Sequence, residues 1–185
     1  MPNPDPKANP WITHETREIY SNAWISVVEN KVTSPGGKPG IYGVVHFQHV
    51  AVGVVPVQDG FTWLVGQFRY PLNAYSWEIP EGGALDQETP EACAHRELGE
   101  ETGLRAQKLE SLGIIHNSNC ATDEVAYLFT ATGITEGPPH PDDTERLTVR
   151  KLPLLEAIAM VERGEITDAM SVVALLKMKF LNANR

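Results

Sequence analysis

Residues 81–104 read "EGGALDQETPEACAHRELGEETGL", and the fold turns on how this stretch is arranged. Thr89 is suited to cap a helix, Pro90 to open it and Gly103 to follow its last turn. The pattern therefore predicts a helix from about Pro90 to Thr102. At about 100° per residue, Glu97, Glu100 and Glu101 share an arc of roughly 100°. Like charges at this spacing repel by about 0.2–0.5 kcal/mol per pair, so the acidic stripe calls for something positive. Hard divalent cations such as Mg²⁺ take oxygen ligands, and carboxylates beside a glycine-rich loop with free carbonyls suit them. The competing reading is an acidic helix face turned to water.

Outward from this stretch, "AVGVVPV" and "FTWLVGQFR" flank Asp59-Gly60, a dipeptide that tolerates positive φ at both positions and predicts a tight hairpin. Residues 1–10 are proline-rich and read as a loose leader. From 11 to 47, "WISVVENKV" and "GIYGVVHF" are strand-like segments joined by the turn-rich "TSPGGKP". Downstream, "LESLGIIHN", "VAYLFTAT" and "RLTVRKL" predict strands, and "LLEAIAMVERG" and "DAMSVVALLKMKFL" predict helices. "GITEGPPHPDDTE" is a solvated loop, in which Asp142 and Asp143 are surface acids. The chain divides on this reading into a leader (1–10), a strand section that serves dimerisation (11–47) and one mixed α and β domain (48–185).

Composition bounds the function. A formal net charge of -9 over 185 residues argues against nucleic acid and anionic membranes, both of which need basic surface. A phosphate-bearing small substrate stays open, because bound divalent cations reverse the sign locally. The two cysteines, Cys93 and Cys120, form no CxxC pair, and no apolar run approaches ~18 residues. The expectation is a cytoplasmic protein without disulfides or export signal.

Spacing sharpens the metal reading. Gly82, Glu88, Arg96, Glu97, Leu98, Glu100, Glu101, Gly103 and Leu104 fit G-x5-E-x7-R-E-U-x-E-E-x-G-U, where U is a bulky aliphatic. A chance match in this composition is on the order of one in a few million. The stretch resembles the signature box of the Nudix hydrolases at every position. That resemblance implies an α/β fold, the α/β/α Nudix sandwich with a mixed sheet, preceded here by the antiparallel N-terminal strands. It also implies Mg²⁺-dependent hydrolysis of a nucleoside diphosphate linked to another group, with two or three ions for which Mn²⁺ can substitute. Glu97, Glu100 and Glu101 would be metal ligands, joined by a backbone carbonyl near Glu81 or Gly82. Arg96 and Glu88 would form the supporting ion pair.

"LVGQFRYPLNAYSWEIPEGG", residues 64–83, resembles the ADP-ribose pyrophosphatase and nucleoside-diphosphate-sugar hydrolase branch. The resemblance implies that Arg69 approaches the substrate phosphates, its alternative being a strand-end salt bridge. It further implies a homodimer with exchanged N-terminal strands, in which Trp24 and Tyr42 sandwich the base. The proline that this branch carries some sixteen residues after the box is missing from "HNSNCATDE", which leaves ADP-glucose and GDP-mannose open beside ADP-ribose. The catalytic candidates are Glu145, Glu124 and Glu100. Glu145 in the acidic loop is slightly preferred over Glu124 as general base, because a closing loop excludes water. His95 and His116 read as packing or surface residues. Two rivals remain: the same fold acting on nucleoside triphosphates or dinucleoside polyphosphates, and a nucleotide-sensing module without hydrolysis. The N-terminal strands speak against the first and the intact acidic stripe against the second.

Overall fold

The computed structural model describes residues 7–138 and 146–183. Its chain groups into two compact units, one of residues 7–48 with 118–124 and one of 49–117 with the rest. The segment 118–124, read in sequence as part of the stretch 48–185, thus groups with the N-terminal strands.

The first unit is an antiparallel sheet of β1 (Ile12–Ser21), β2 (Ile25–Thr33) and β3 (Pro39–Phe47), with β2 central. β1 escapes the sequence reading because "ITHETREIYS" lacks apolar alternation, and every residue of it is exposed. Segment 118–124 lies along β3. Val45 N donates to Ala121 O at 2.9 Å, and the Tyr42 hydroxyl donates to Cys120 O at 2.7 Å. The Asp123 carboxylate accepts from Phe47 N at 3.0 Å and meets His46 Nδ1 at 2.6 Å. These bonds outweigh the effect of burial and hold Asp123 below the usual carboxylate range.

The second unit is built on two sheets. One has the order β7 (Glu81–Gly83), β4 (Ala51–Pro56), β10 (Val125–Thr132), β9 (Lys108–His116), with β4 and β10 parallel. The other has the order β12 (Thr148–Pro153), β5 (Phe61–Arg69), β6 (Ala74–Glu78). A short pair, β8 (Leu104–Arg105) with β11 (Thr135–Glu136), completes the strands. Helix α1 (Pro90–Thr102) covers one side, and α2 (Leu154–Glu162) and α3 (Ala169–Ala183) cover the other. Strand alternation sorts the core. Val52 and Val54 pack with Leu98 of α1, whereas Val55 packs with Met170, Ala174 and Leu175 of α3. Leu98 is fully buried, and its truncation to Ala would cost about 2–5 kcal/mol.

The hairpin expected at Asp59-Gly60 is corrected. Both residues take positive φ, 51° and 80°, and Gln58 and Phe61 exchange backbone bonds. Beyond that bridge the flanking strands part into different sheets. β4 is already paired on both edges by β7 and β10, and β5 by β6 and β12, so the turn is a corner between sheets.

Helix α1 has the predicted bounds, because both ends are set by adjacent residues. Thr89 Oγ1 accepts from Ala92 N at 3.2 Å, and Gly103, at φ 71°, donates its N–H to Gly99 O. Among the described residues no helix is long and apolar enough to cross a membrane.

Candidate active site

Arg96 organises the acidic stripe. Its Nε and Nη2 donate to both oxygens of Glu88 at 2.9 and 2.8 Å, while Nη1 donates to Glu97 at 2.7 Å and Glu100 at 2.9 Å. Nη2 also reaches Gly83 O at 2.9 Å, and Glu88 accepts from Leu85 N at 2.9 Å. One guanidinium thus ties the glycine-rich loop to the helix. The Arg96 hydrogen bond holds Glu88 below the usual carboxylate range despite partial burial. Beneath Arg96, burial and the charge of Glu97 push the Cys93 thiol up to about 12, so Cys93 is inert packing.

Glu101, 2% exposed, accepts from Glu81 N at 3.0 Å. This bond joins the stripe to a second ionic cluster. Arg69 donates from Nε and Nη2 to Glu78 at 2.7–3.1 Å and from Nη2 to Glu81 at 3.0 Å. Burial, with the charges of Asp168 and Glu78, pushes Glu81 well above the usual carboxylate range. From below, α3 fixes this corner. Asp168 accepts from Ser171 N at 2.7 Å, and the fully buried Ser171 hydroxyl accepts from Ile79 N at 2.9 Å.

Glu78 and Asp168 were missed in sequence. Glu78 sits in the quoted "SWEIPEGG" three residues before Glu81, and an acid flanked by the apolar Trp77 and Ile79 was the available signal. Nothing local marks Asp168 beyond a helix cap.

The donor set suits a hard cation. Glu78, Glu81, Glu88, Glu97 and Glu100 face two guanidinium groups, and Glu101 accepts from the Glu81 backbone between them. A Cβ on Gly82 would lie 2.2 Å from Glu97 Oε1, so the main chain there approaches a carboxylate as only glycine permits. As they stand, no three acidic, histidine or cysteine groups among the described residues are arranged to hold a metal ion; Glu97 and Glu100 are both drawn to Arg96.

The other candidates fall elsewhere. Glu124 ends the segment lying along β3, and Glu145 is outside the described residues. Trp24 is 71% exposed, whereas Tyr42 packs edge-on against Trp11 at 5.2 Å. Ile25 pairs with Phe47 and Asn30 with Tyr42, so at about 3.3 Å per residue Trp24 and Tyr42 stand roughly 20 Å apart along the sheet. They do not pack together within one chain.

Residues 47–171 match the NUDIX domain, and residues 11–45 match the nucleoside diphosphate sugar hydrolase N-terminal domain. An ADP-ribose pyrophosphatase of Bacillus subtilis (strain 168) is 30% identical over 168 residues, 90% of this chain and 91% of that one. A GDP-mannose pyrophosphatase of Yersinia pestis (strain Pestoides F) is 33% identical over 132 residues, 64% of each chain. A crystal structure of an ADP compounds hydrolase superposes with a TM-score of 0.86 at 18% identity, covering 97% of this chain and 98% of that one. The chain belongs to the NUDIX family. It is a Nudix hydrolase, and it carries the N-terminal strand domain of the nucleoside-diphosphate-sugar hydrolases.

Proposed function

We propose that this hydrolase cleaves the diphosphate bond of nucleoside-diphosphate sugars of the ADP-ribose, ADP-glucose or GDP-mannose type, releasing a nucleoside monophosphate and a sugar phosphate. The observation that carries this reading is the Arg96 network, in which Glu88, Glu97 and Glu100 are gathered on one guanidinium and Glu97 lies against the bare backbone of Gly82. Likeness to ADP-ribose and GDP-mannose pyrophosphatases supports the substrate class.

Glu97, Glu100 and Glu101, with a carbonyl near Glu81 or Gly82, would hold two or three Mg²⁺ ions, or Mn²⁺ in their place. Such ions neutralise a diphosphate and lower the pKa of water. Arg96 and Glu88 keep the ligands spread and oriented. Arg69, with 36% of its side chain exposed, keeps surface free to meet a phosphate while Glu78 and Glu81 hold it in place. A glutamate base, Glu145 or Glu124, takes the proton from the attacking water.

The placement of the two aromatics, Trp24 exposed and Tyr42 half-buried against Trp11, supports an exchanged homodimer. Trp24 and Tyr42 are too distant in one chain to clasp a single base, whereas Trp24 of one subunit and Tyr42 of another are under no such limit. The free thiols of Cys93 and Cys120 suit a reducing cytoplasm.

The test is a panel of ADP-ribose, ADP-glucose, GDP-mannose and UDP-glucose with purified protein and Mg²⁺, with products identified. At least one should give kcat/KM of about 10⁴ M⁻¹s⁻¹ or more, yielding a nucleotide and a sugar phosphate. No turnover of any of the four overturns the reading.

A further inference from the structure

We infer that a pocket on the outer side of α1 receives the sugar ring of the substrate, an inference that rests on the reading of the chain as a nucleoside-diphosphate-sugar hydrolase. The pocket holds about 260 Å³ and is lined by His95, Arg96, Gly99, Glu100, Gly103 and Arg105. It is below the ~300 Å³ at which sites for drug-sized ligands begin, so it suits one ring rather than a whole nucleotide sugar.

Its floor is bare because residue 99 has no side chain. Position 99 is the free position of the box, and a Cβ there would meet nothing closer than Leu104 O at 3.7 Å. An alanine would fit there, and glycine inside a helix is destabilising relative to alanine. The empty floor thus has a local cost and no local cause. Gly137 closes the far end, donating its N–H to Gly103 O at 2.8 Å beside the β8–β11 pair.

The walls offer donors and acceptors together. Arg96 is spent on Glu88, Glu97 and Glu100. Arg105 forms no ion pair among the described residues, whereas Arg69, Arg96 and Arg163 all do. Arg105 and His95 therefore supply N–H groups, and Glu100, with 44% of its side chain exposed, supplies acceptor oxygens. Hydroxyl groups both donate and accept, so this mixture matches a polyhydroxylated ring. An anion would meet Glu100 and the negative end of α1. Glu100 belongs to both the stripe and the pocket, so the pocket adjoins the place proposed for the diphosphate.

Arg105→Gln, His95→Ala and Gly99→Leu test the pocket from two walls and the floor. Each should raise the KM for ADP-ribose about tenfold with kcat little changed. Calorimetry with Mg²⁺ should show ribose 5-phosphate binding weakened about tenfold and AMP binding unchanged, a split that general damage to the fold does not produce. Three variants that bind ribose 5-phosphate like the wild type overturn the inference, as does equal loss of AMP and ribose 5-phosphate, or a wild type that binds no sugar phosphate. If the wild type hydrolyses ADP-ribose while the variants bind ribose 5-phosphate normally, the pocket falls and the hydrolase stands. If it hydrolyses no nucleotide sugar yet binds sugar phosphates through Arg105, the pocket stands and the hydrolase reading falls.

Discussion

The two units differ most in where their apolar side chains go. The catalytic unit buries two clusters, one under α1 and one under α2 and α3. In the described N-terminal unit only Val32 is a buried hydrophobic residue, and Ile12, Ile19, Tyr20, Trp24 and Ile41 stand at least half exposed. Burial contributes roughly 25 cal/mol per Å² of apolar area removed from water, so the catalytic unit gains far more from its own packing than the N-terminal sheet does. A sheet with no core of its own fits a recognition element completed by a second copy, whereas a closed core fits the rigid seat that charged catalytic groups require.

The sharpest break would come at the acidic stripe. Glu101→Gln is expected to leave the fold intact and lower kcat by at least ~10³, since it removes a charge while keeping the volume. Near-normal turnover at saturating Mg²⁺ would remove Glu101 from the metal assignment. Exchanging the two base candidates, Glu145→Gln and Glu124→Gln, should cost ~10²–10⁴ in kcat for the true base and almost nothing for the other. Two variants with wild-type kcat would exclude both.

Arg96→Ala tests whether the catalytic unit is held by charge as well as by its core. Its side chain is 22% exposed and faces Glu88 and Glu97, which are less exposed still. Leaving those carboxylates without a partner should cost about 3 kcal/mol in urea denaturation. Mg²⁺ should restore part of the loss, because binding to the folded state stabilises it. A variant as stable as the wild type in EDTA would show that the network does not hold the loop to α1.

Trp24→Ala addresses the N-terminal unit. It should raise KM for every substrate about tenfold with kcat much less affected, since base stacking changes little between ground and transition states. A mixed dimer of Trp24→Ala and Tyr42→Ala subunits should keep about half the wild-type activity, one site carrying both lesions and the other none. Two equally impaired sites, or a monomer by sedimentation, would refute the exchange.

The smallest effect is one of pH. Glu88 has a lowered folded-state pKa. Its stabilising contribution is present above the ordinary value of 4.5 and disappears as pH falls through the lower folded value. Glu88→Gln should therefore flatten the acid limb of the thermal melting profile, and an unchanged limb would place the acid-sensitive interaction elsewhere.

Sequence by itself determined what neighbouring residues can settle. The limits of α1 follow from Thr89, Pro90 and Gly103, and the box spacing identifies the acidic stripe. The Asp59-Gly60 turn was legible because its φ values are local, but the parting of its strands was not, since that depends on which edges β7, β10, β6 and β12 occupy. β1 was hidden because it carries no apolar alternation. Only the tertiary structure decided that Arg69 is held by Glu78 and Glu81, that Asp168 and Ser171 brace them from α3, that segment 118–124 lies on β3, and that Trp24 and Tyr42 stand well apart along one sheet. Those pairings join residues far apart in the chain. The side chains involved are compatible with many partners, and the packed backbone selects one.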